Sequence, residues 1–251
     1  DEYEDFLSIQ ELPENQFDGL NAIEKVVKSL SDQGYSITLH KQGRSSDYTD
    51  EDLEERELIS FSCFSNSQMN VLPPLPVERK KCSGYRNWAV FLKETTLINA
   101  EIYDYGSELT PFLSHVQYYF IQKDLLQELE SLGINQGLKI RPVRLFLKDS
   151  NQVLENEYFW IYSTTSLGNL AGDISMGKFD ENCQHPEILE NRNFVTTFSR
   201  SNHTDKDFYT SNFLGANDLY ISNRVYKFLK QKRVLHSDLY QNLIFSPVDL
   251  V

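Results

Sequence analysis

The residues with the clearest capacity for chemistry are acids. Asp47, Asp50, Glu51, Asp52, Glu54, Glu55 and Glu57 fall within one short stretch, and Arg56 is its only basic residue. Like charges in a block repel one another and stay hydrated unless an opposite charge meets them. Two readings follow. The stretch is a solvated acidic loop leading into a short helix, or it is a surface that docks on a basic groove. In the second case complementary charge speeds encounter and sets register. These seven acids are the candidate partner-binding residues. The stretch is not a calcium loop, because it lacks the turn glycine and the alternating oxygen ligands of an EF-hand.

Other chemistries find little support. His40, His115, His185, His203 and His236 are scattered, with no HxxxH and no cysteine at metal-ligand spacing. His185 lies two positions from Cys183, but a cysteine nucleophile needs its histidine in space and a third group to orient it. Cys63, Cys82 and Cys183 are odd in number and far apart, so they make neither a disulfide framework nor a CxxC metal site. A reducing, cytoplasmic setting is the expectation. The nearest glycine-rich piece, Ser166 to Asp173, is a flexible loop or, less simply, a nest of N–H groups for phosphate. The basic stretch Arg224 to Arg233 interleaves Tyr226 and Phe228 with lysines. It would bind nucleic acid through its cations with Tyr226 stacking on a base. Val225, Phe228 and Leu229 make the packed helix the better reading, with cations suiting its C-terminal end. No catalytic residue, metal or cofactor is assigned.

Composition narrows the classes further. The chain has 251 residues, 37 acidic against 24 basic, for a net charge of −13. Residues 1–57 hold 16 acids and 5 bases, so nearly all of that excess lies there. Such a balance disfavours nucleic acid as main partner, since phosphates need clustered Lys and Arg. No run of 18 apolar residues occurs, so no membrane-spanning helix is expected. The first residues, Asp1-Glu2-Tyr3-Glu4-Asp5, lack the features of a signal peptide.

Hydrophobic spacing then places the elements. Leu20 to Gln33 has helical periodicity, with Gly34 at its end, and Tyr35 to His40 alternates as a strand. Leu58 to Phe64 reads as a buried strand. The prolines at 73, 74 and 76 make Val71 to Val77 a linker or long loop, followed by the basic run Arg79-Lys80-Lys81. Strands are expected at Trp88–Leu92 and Ile98–Tyr105. The division is therefore an acidic α+β region over 1–90 and a second α+β domain over 91–251.

That second domain repeats itself. Tyr118–Ile121 is a strand, Asp124–Leu132 a helix stopped by Gly133, and Leu138–Leu147 a strand containing Pro142, which argues for an edge or a bulge. Leu219–Ser222, Asn223–Gln231 and Leu243–Val248 follow the same order, with Pro247 in the place of Pro142. The units 118–147 and 219–250 form an internal duplication. Ile121 to Pro142 spans 21 positions and Ile221 to Pro247 spans 26, so the second copy carries about five extra residues near His236–Tyr240. Between the copies lie the apolar strand Tyr158–Tyr162 and a Ser/Thr/Gly/Asn-rich stretch running to Phe179.

These segments carry a resemblance. Phe120–Val143, Tyr158–Tyr162 and Tyr220–Val248 together resemble the bacterial polymorphic-toxin immunity proteins of the group called immunity protein eleven, over roughly residues 95–251. The first copy departs from the pattern at Gln122-Lys123, where the second has Ser222-Asn223. The resemblance implies an intracellular protein that binds a cognate toxin and occludes its active site without chemistry of its own. The resulting expectation is an α+β fold, a mainly antiparallel or mixed sheet with short helices, and a cognate toxin with a basic surface as partner. Two other classes stay open. One is an enzyme, such as a hydrolase or a reverser of a toxin modification; the other is a separately folded N-terminal interaction module.

Overall fold

A computed structural model describes residues 48–251 apart from 64–68, 74, 82–87, 94–96, 104–108, 116–117, 149–151, 182–184, 192–194 and 212–214. All of these belong to one compact unit, Gly43–Val251. Asp47, the helix expected at Leu20–Gln33 and the strand expected at Tyr35–His40 lie outside the described residues.

The fold is α+β, with short helices on antiparallel and mixed sheets, as the hydrophobic pattern implies. In chain order come α1 (Asp50–Glu54), β1 (Leu58–Cys63), β2 (Met69–Val71), β3 (Val77–Lys81), β4 (Trp88–Leu92), β5 (Ile98–Ile102), β6 (Phe112–His115) and β7 (Tyr118–Gln122). Then follow α2 (Lys123–Ser131), β8 (Leu138–Leu147), β9 (Gln152–Ser163), β10 (Ile174–Asp180), β11 (His185–Asn191) and β12 (Thr196–Phe198). The last are β13 (Phe208–Ser211), β14 (Gly215–Ser222), α3 (Asn223–Leu235), α4 (Ser237–Tyr240) and β15 (Leu243–Leu250). The basic run 79–81 lies in β3, paired with β4, and the Ser/Thr/Gly/Asn-rich stretch that runs to Phe179 includes most of β10.

The duplication is present as architecture. A six-stranded sheet runs β2-β5-β8-β9-β7-β6 and a five-stranded sheet runs β12-β15-β1-β14-β13. Leaving β2 aside, the two orders match strand for strand. The directions match as well, with β5·β8 and β12·β15 parallel and every other neighbouring pair antiparallel. In each sheet a strand, a helix and a second strand form a split β-α-β unit around a central strand. Registers agree to the residue. Ile121 and Pro142 both face Phe159, while Ile221 and Pro247 both face Ile59. Phe112 faces Ile121 as Phe208 faces Ile221.

The prolines mark a shared junction. The parallel neighbour joins one residue later, at Val143 opposite Ile98 and at Val248 opposite Thr196. Each proline therefore sits where its strand still has one partner, and a missing N–H leaves no ladder gap there. β8 also shifts register between Pro142 and Arg144. So the strand is interior, with a local edge and an irregularity at its proline.

The central strands come from different parts of the chain. β9 follows β8 directly, but its counterpart β1 lies 180 positions before β15 along the chain, as Cys63 to Leu243 shows. Strands on both sides of position 90 thus share one sheet, which the expected division at that position does not separate.

Three apolar clusters follow from this layout. Ile59, Phe61 and Cys63 pack with Tyr119, Ile121, Leu219 and Ile221, and with both long helices. The Phe61 ring lies 5.2 Å from Phe112, 5.7 Å from Tyr119 and 6.0 Å from Phe245, so it joins the two repeats. On the opposite face of the larger sheet, Tyr118, Phe120, Trp160 and Leu145 form a second cluster. Burial of both faces explains why Tyr118–Ile121 is apolar without alternation. Leu58, Phe198, Tyr209 and Tyr220 form the third cluster, covered by Leu167 and Leu170.

The helices share their buried spacing. α2 buries Leu125, Leu126 and Leu129; α3 buries Val225, Tyr226 and Leu229. α2 ends where Gly133 takes φ 66°, with Gly133 N–H donating to Glu130 and Ile134 N–H to Leu129. That is the Schellman arrangement, which needs a residue without a Cβ penalty at positive φ.

Candidate functional site

Among the described residues the second repeat carries two additions that the first lacks, and both line one cleft. The extra residues near 236–240 form α4, whose Tyr240 is buried. The acidic stretch forms α1, which packs on α3 through Leu53. Between them lies a cleft of about 560 Å³ lined by Tyr48, Asp50, Leu53, Tyr226, Lys230, Arg233, Val234, Ser237, Leu243 and Phe245.

α1 forms locally because Thr49 caps it. The Thr49 hydroxyl accepts from the Asp52 N–H, and the Asp52 carboxylate accepts from the Thr49 N–H at 2.9 Å. This capping box satisfies donors that a helix start otherwise leaves open. Acids in the first turn also suit the positive end of the helix dipole. The Thr49 backbone N–H, and after it the Thr49 hydroxyl donating at 2.8 Å, hold the Asp52 carboxyl below its ordinary range.

The acidic stretch and the basic helix, two separate features in the sequence, face each other. Lys230 reaches Asp50 at 3.1 Å and Glu54 at 2.6 Å. The Tyr226 hydroxyl donates to Asp50 at 3.2 Å. The Asn223 amide donates to the carbonyls of Leu53, Glu54 and Arg56, closing the end of α1 onto the start of α3. Glu57 pairs with Arg200 at 2.7 Å, and Arg56 pairs with Asp249. Of the expected partner-binding residues, Asp50, Asp52, Glu54 and Glu57 are thus engaged within the chain. Glu51 and Glu55 project into solvent.

Electrostatics at this clasp fix the protonation states. Hydrogen bonds that Lys230 donates to Glu54 and then to Asp50 hold its ammonium above the ordinary lysine range. The Lys230 hydrogen bond leads in lowering Asp50. Burial, aided by the Asp50 charge, pushes Tyr226 up to about 12. Around neutral pH these groups are a fixed cation, a fixed anion and a protonated phenol.

The linkage has a definite sign. Asp50 is lowered from 3.8, so its contribution is complete above that value and fades as acid takes pH through the folded value. Lys230 is raised from 10.5, so its contribution is complete below that value and fades as alkali takes pH through the folded value. Lys230→Met is expected to cost about 0.5–1 kcal/mol near neutrality, the scale of a partly exposed ion pair. The variant should lose the acid-side dependence contributed by Asp50 and speed amide exchange in Asp50–Glu54. Equal exchange rates in wild type and variant would show that the clasp does not hold α1.

The other candidates resolve differently. Tyr226 is 1% exposed, so its ring does not stack on a nucleic-acid base. Arg224, Lys230 and Lys232 each meet a carboxylate. The glycine-rich stretch is a cover for the third apolar cluster. Its Leu167 and Ala171 N–H groups donate to Thr210 and Thr197, and the Gly168 N–H to the Ser166 hydroxyl. Cys63 is a buried core residue whose thiol burial pushes up to about 12, which makes it inert. Among the described residues no group of three His, Cys, Asp or Glu is arranged to hold a metal ion.

Sequence reasoning missed Asp207. Its carboxylate is fully buried and accepts from the Gln136 N–H at 3.0 Å, the Ser222 hydroxyl at 2.9 Å and Arg224 at 3.1 Å. Gln136 in turn accepts from the N–H groups of Asp207 and Phe208. One side chain thereby fixes the turn before β8, the strand β13 and the start of α3. Register places Asp207 where the first repeat has Pro111: the N–H of Gln122 donates to Pro111 and that of Ser222 to Asp207. No spacing rule singles out an aspartate between Lys206 and Phe208.

No helix among the described residues is long and apolar enough to cross a membrane. Comparison with protein-family models finds no match, and no curated protein matches the chain.

Proposed function

We propose that this chain is an immunity protein that binds a bacterial toxin and occludes its active site, acting by binding alone in the producer's cytoplasm. The observation that carries the reading is the coincidence of two sets of residues. The segments on which the resemblance rests, 120–143, 158–162 and 220–248, are those that build the paired sheets. The resemblance therefore rests on the framework of the fold rather than on peripheral apolar runs. The fixed charges at the α1–α3 clasp are consistent with recognition as the activity. The toxin is expected to present a basic surface, because the chain carries a net −13 and Glu51 and Glu55 stand free in solvent.

The test is direct. The product of the neighbouring gene is co-expressed with this chain, and growth and complex formation are measured. Rescue of growth together with co-purification is the expected result. A neighbouring product that is not toxic, or that is toxic but neither bound nor neutralised, removes the reading.

A further inference from the structure

We propose that the cleft lined by α1, α3 and α4 binds a carboxylate joined to an apolar group, a ligand that does not depend on the toxin reading above. Its volume of about 560 Å³ falls within the range of small-ligand sites. The two repeats show how it arises. Buried positions of the long helices match as Leu125 with Val225, Leu126 with Tyr226 and Leu129 with Leu229. Carried forward, that match sets Gly133 against Arg233. At Gly133 the backbone takes positive φ and α2 has stopped, whereas α3 runs on through Arg233 and Val234 to Leu235. Arg233 and Val234 from this added turn and Ser237 from α4 line the cleft together. Among the described residues the first copy has no such turn and no second short helix.

The lining defines the ligand. Leu53, Leu243 and Phe245 belong to the first apolar cluster, so the cleft opens onto the edge of the core. Val234 lines it too and is 75% exposed, and an apolar group seated there takes that surface out of water. Arg233 supplies the polar half. Arg224, Lys230 and Lys232 of the same helix each meet a carboxylate. Arg233 meets none among the described residues, and its hydrogen bond there is a long one, from Nη1 to the Leu243 carbonyl at 3.5 Å. A guanidinium holds its N–H donors in a planar fork that a carboxylate takes two at a time. Tyr48 and Ser237 bring hydroxyls to the same lining. Asp50 narrows the class further. Asp50 and Glu54 are both spent on Lys230, so the attraction is local to Arg233. Asp50 lies near enough to Arg233 to feel its charge, and it repels a second negative charge on the ligand. A carboxylate monoanion fits this arrangement better than a phosphate dianion.

The experiment titrates the full chain with phenylacetate and follows its backbone amide resonances. Shifts are expected in residues 48–53, 226–237 and 243–245, with a Kd on the order of 1 mM for so small a probe. Phenylacetamide has the shape without the charge, and phenyl phosphate has a second charge. Each is expected to bind at least about tenfold more weakly, the scale of one lost charge-assisted hydrogen bond. Arg233→Gln should lose as much at an unchanged thermal midpoint. Arg233→Lys keeps the charge without the fork and should fall between. No shift in those residues, equal binding of the amide, or equal binding by Arg233→Gln overturns the site. Equal binding of phenyl phosphate overturns the monoanion assignment. Adding the neighbouring gene's product then separates two sources of the same chemistry. Displacement of phenylacetate, with weaker binding of that product by Arg233→Gln, shows that the protein partner presents the carboxylate. Binding of both at once shows a free small acid. A product that binds nowhere removes the function proposed above and leaves the cleft standing.

Discussion

A chain cut to residues 91–251 is expected not to reach the native state, although it contains both copies of the repeat unit. The cut removes β1, the centre of the five-stranded sheet. Without it Ile221 and Pro247 lose their shared partner Ile59, and β14 and β15 no longer touch. Leu58, Ile59, Phe61 and Cys63 are each at most 5% exposed and serve two apolar clusters. At about 1.5–3 kcal/mol for each large buried side chain, their loss is comparable to the whole stability of a domain. The fragment should show broad, poorly dispersed amide resonances and bind a hydrophobic dye. A milder probe keeps the chain whole. Ile59→Ala should cost about 2–5 kcal/mol in urea unfolding, as buried isoleucine truncations do. A well-dispersed spectrum from the fragment, or a cost below about 1 kcal/mol for Ile59→Ala, would show that the second sheet stands without β1.

The second large effect is expected at Asp207. Asp207→Ala leaves the Gln136 N–H, the Ser222 hydroxyl and Arg224 without their shared acceptor. Removing one partner of a buried charged network costs about 3–5 kcal/mol. Asp207→Asn keeps the shape and one carbonyl acceptor but not the charge, so its cost should fall between wild type and alanine. The measurement is the urea midpoint with an unchanged slope, which separates a stability loss from a change in the denatured state. Hydrogen exchange should report the loss first at the start of α3 and in residues 135–137. A stability change below about 1 kcal/mol for Asp207→Ala would mean that water replaces the carboxylate and that the network is not structural. The contrast with Pro111 at the equivalent position sharpens the point. There a proline carbonyl alone accepts from Gln122, and α2 begins without a side-chain cap.

Much of this architecture is legible in the order of residues, for a definite reason. Helices and strands leave periodic traces, because side chains recur on one face every 3.6 or every 2 residues. Leu125, Leu126 and Leu129 declare α2, and Val225 and Leu229 declare α3. The duplication shows itself because each copy keeps its strand, helix and proline in chain order. Even the extra residues of the second copy could be placed, and they form α4. Gly133 marks its helix end because only a residue without a side chain takes that backbone turn at little cost.

What the sequence by itself determined is therefore local: element types, the repeated unit, the α+β class and the concentration of acid before residue 58. Tertiary structure alone decided which strand completes the second sheet, what the acids face and which aspartate is buried. Leu58 to Cys63 reads as a buried strand wherever it inserts, and its partners Ile221 and Pro247 lie 162 and 188 positions further along. The same distance hides the meeting of Asp50 and Glu54 with Lys230, which ties α1 to α3 within the chain. Periodicity reports the face a residue presents. It carries no record of which distant segment covers that face, because that choice is made by packing and charge across the folded molecule.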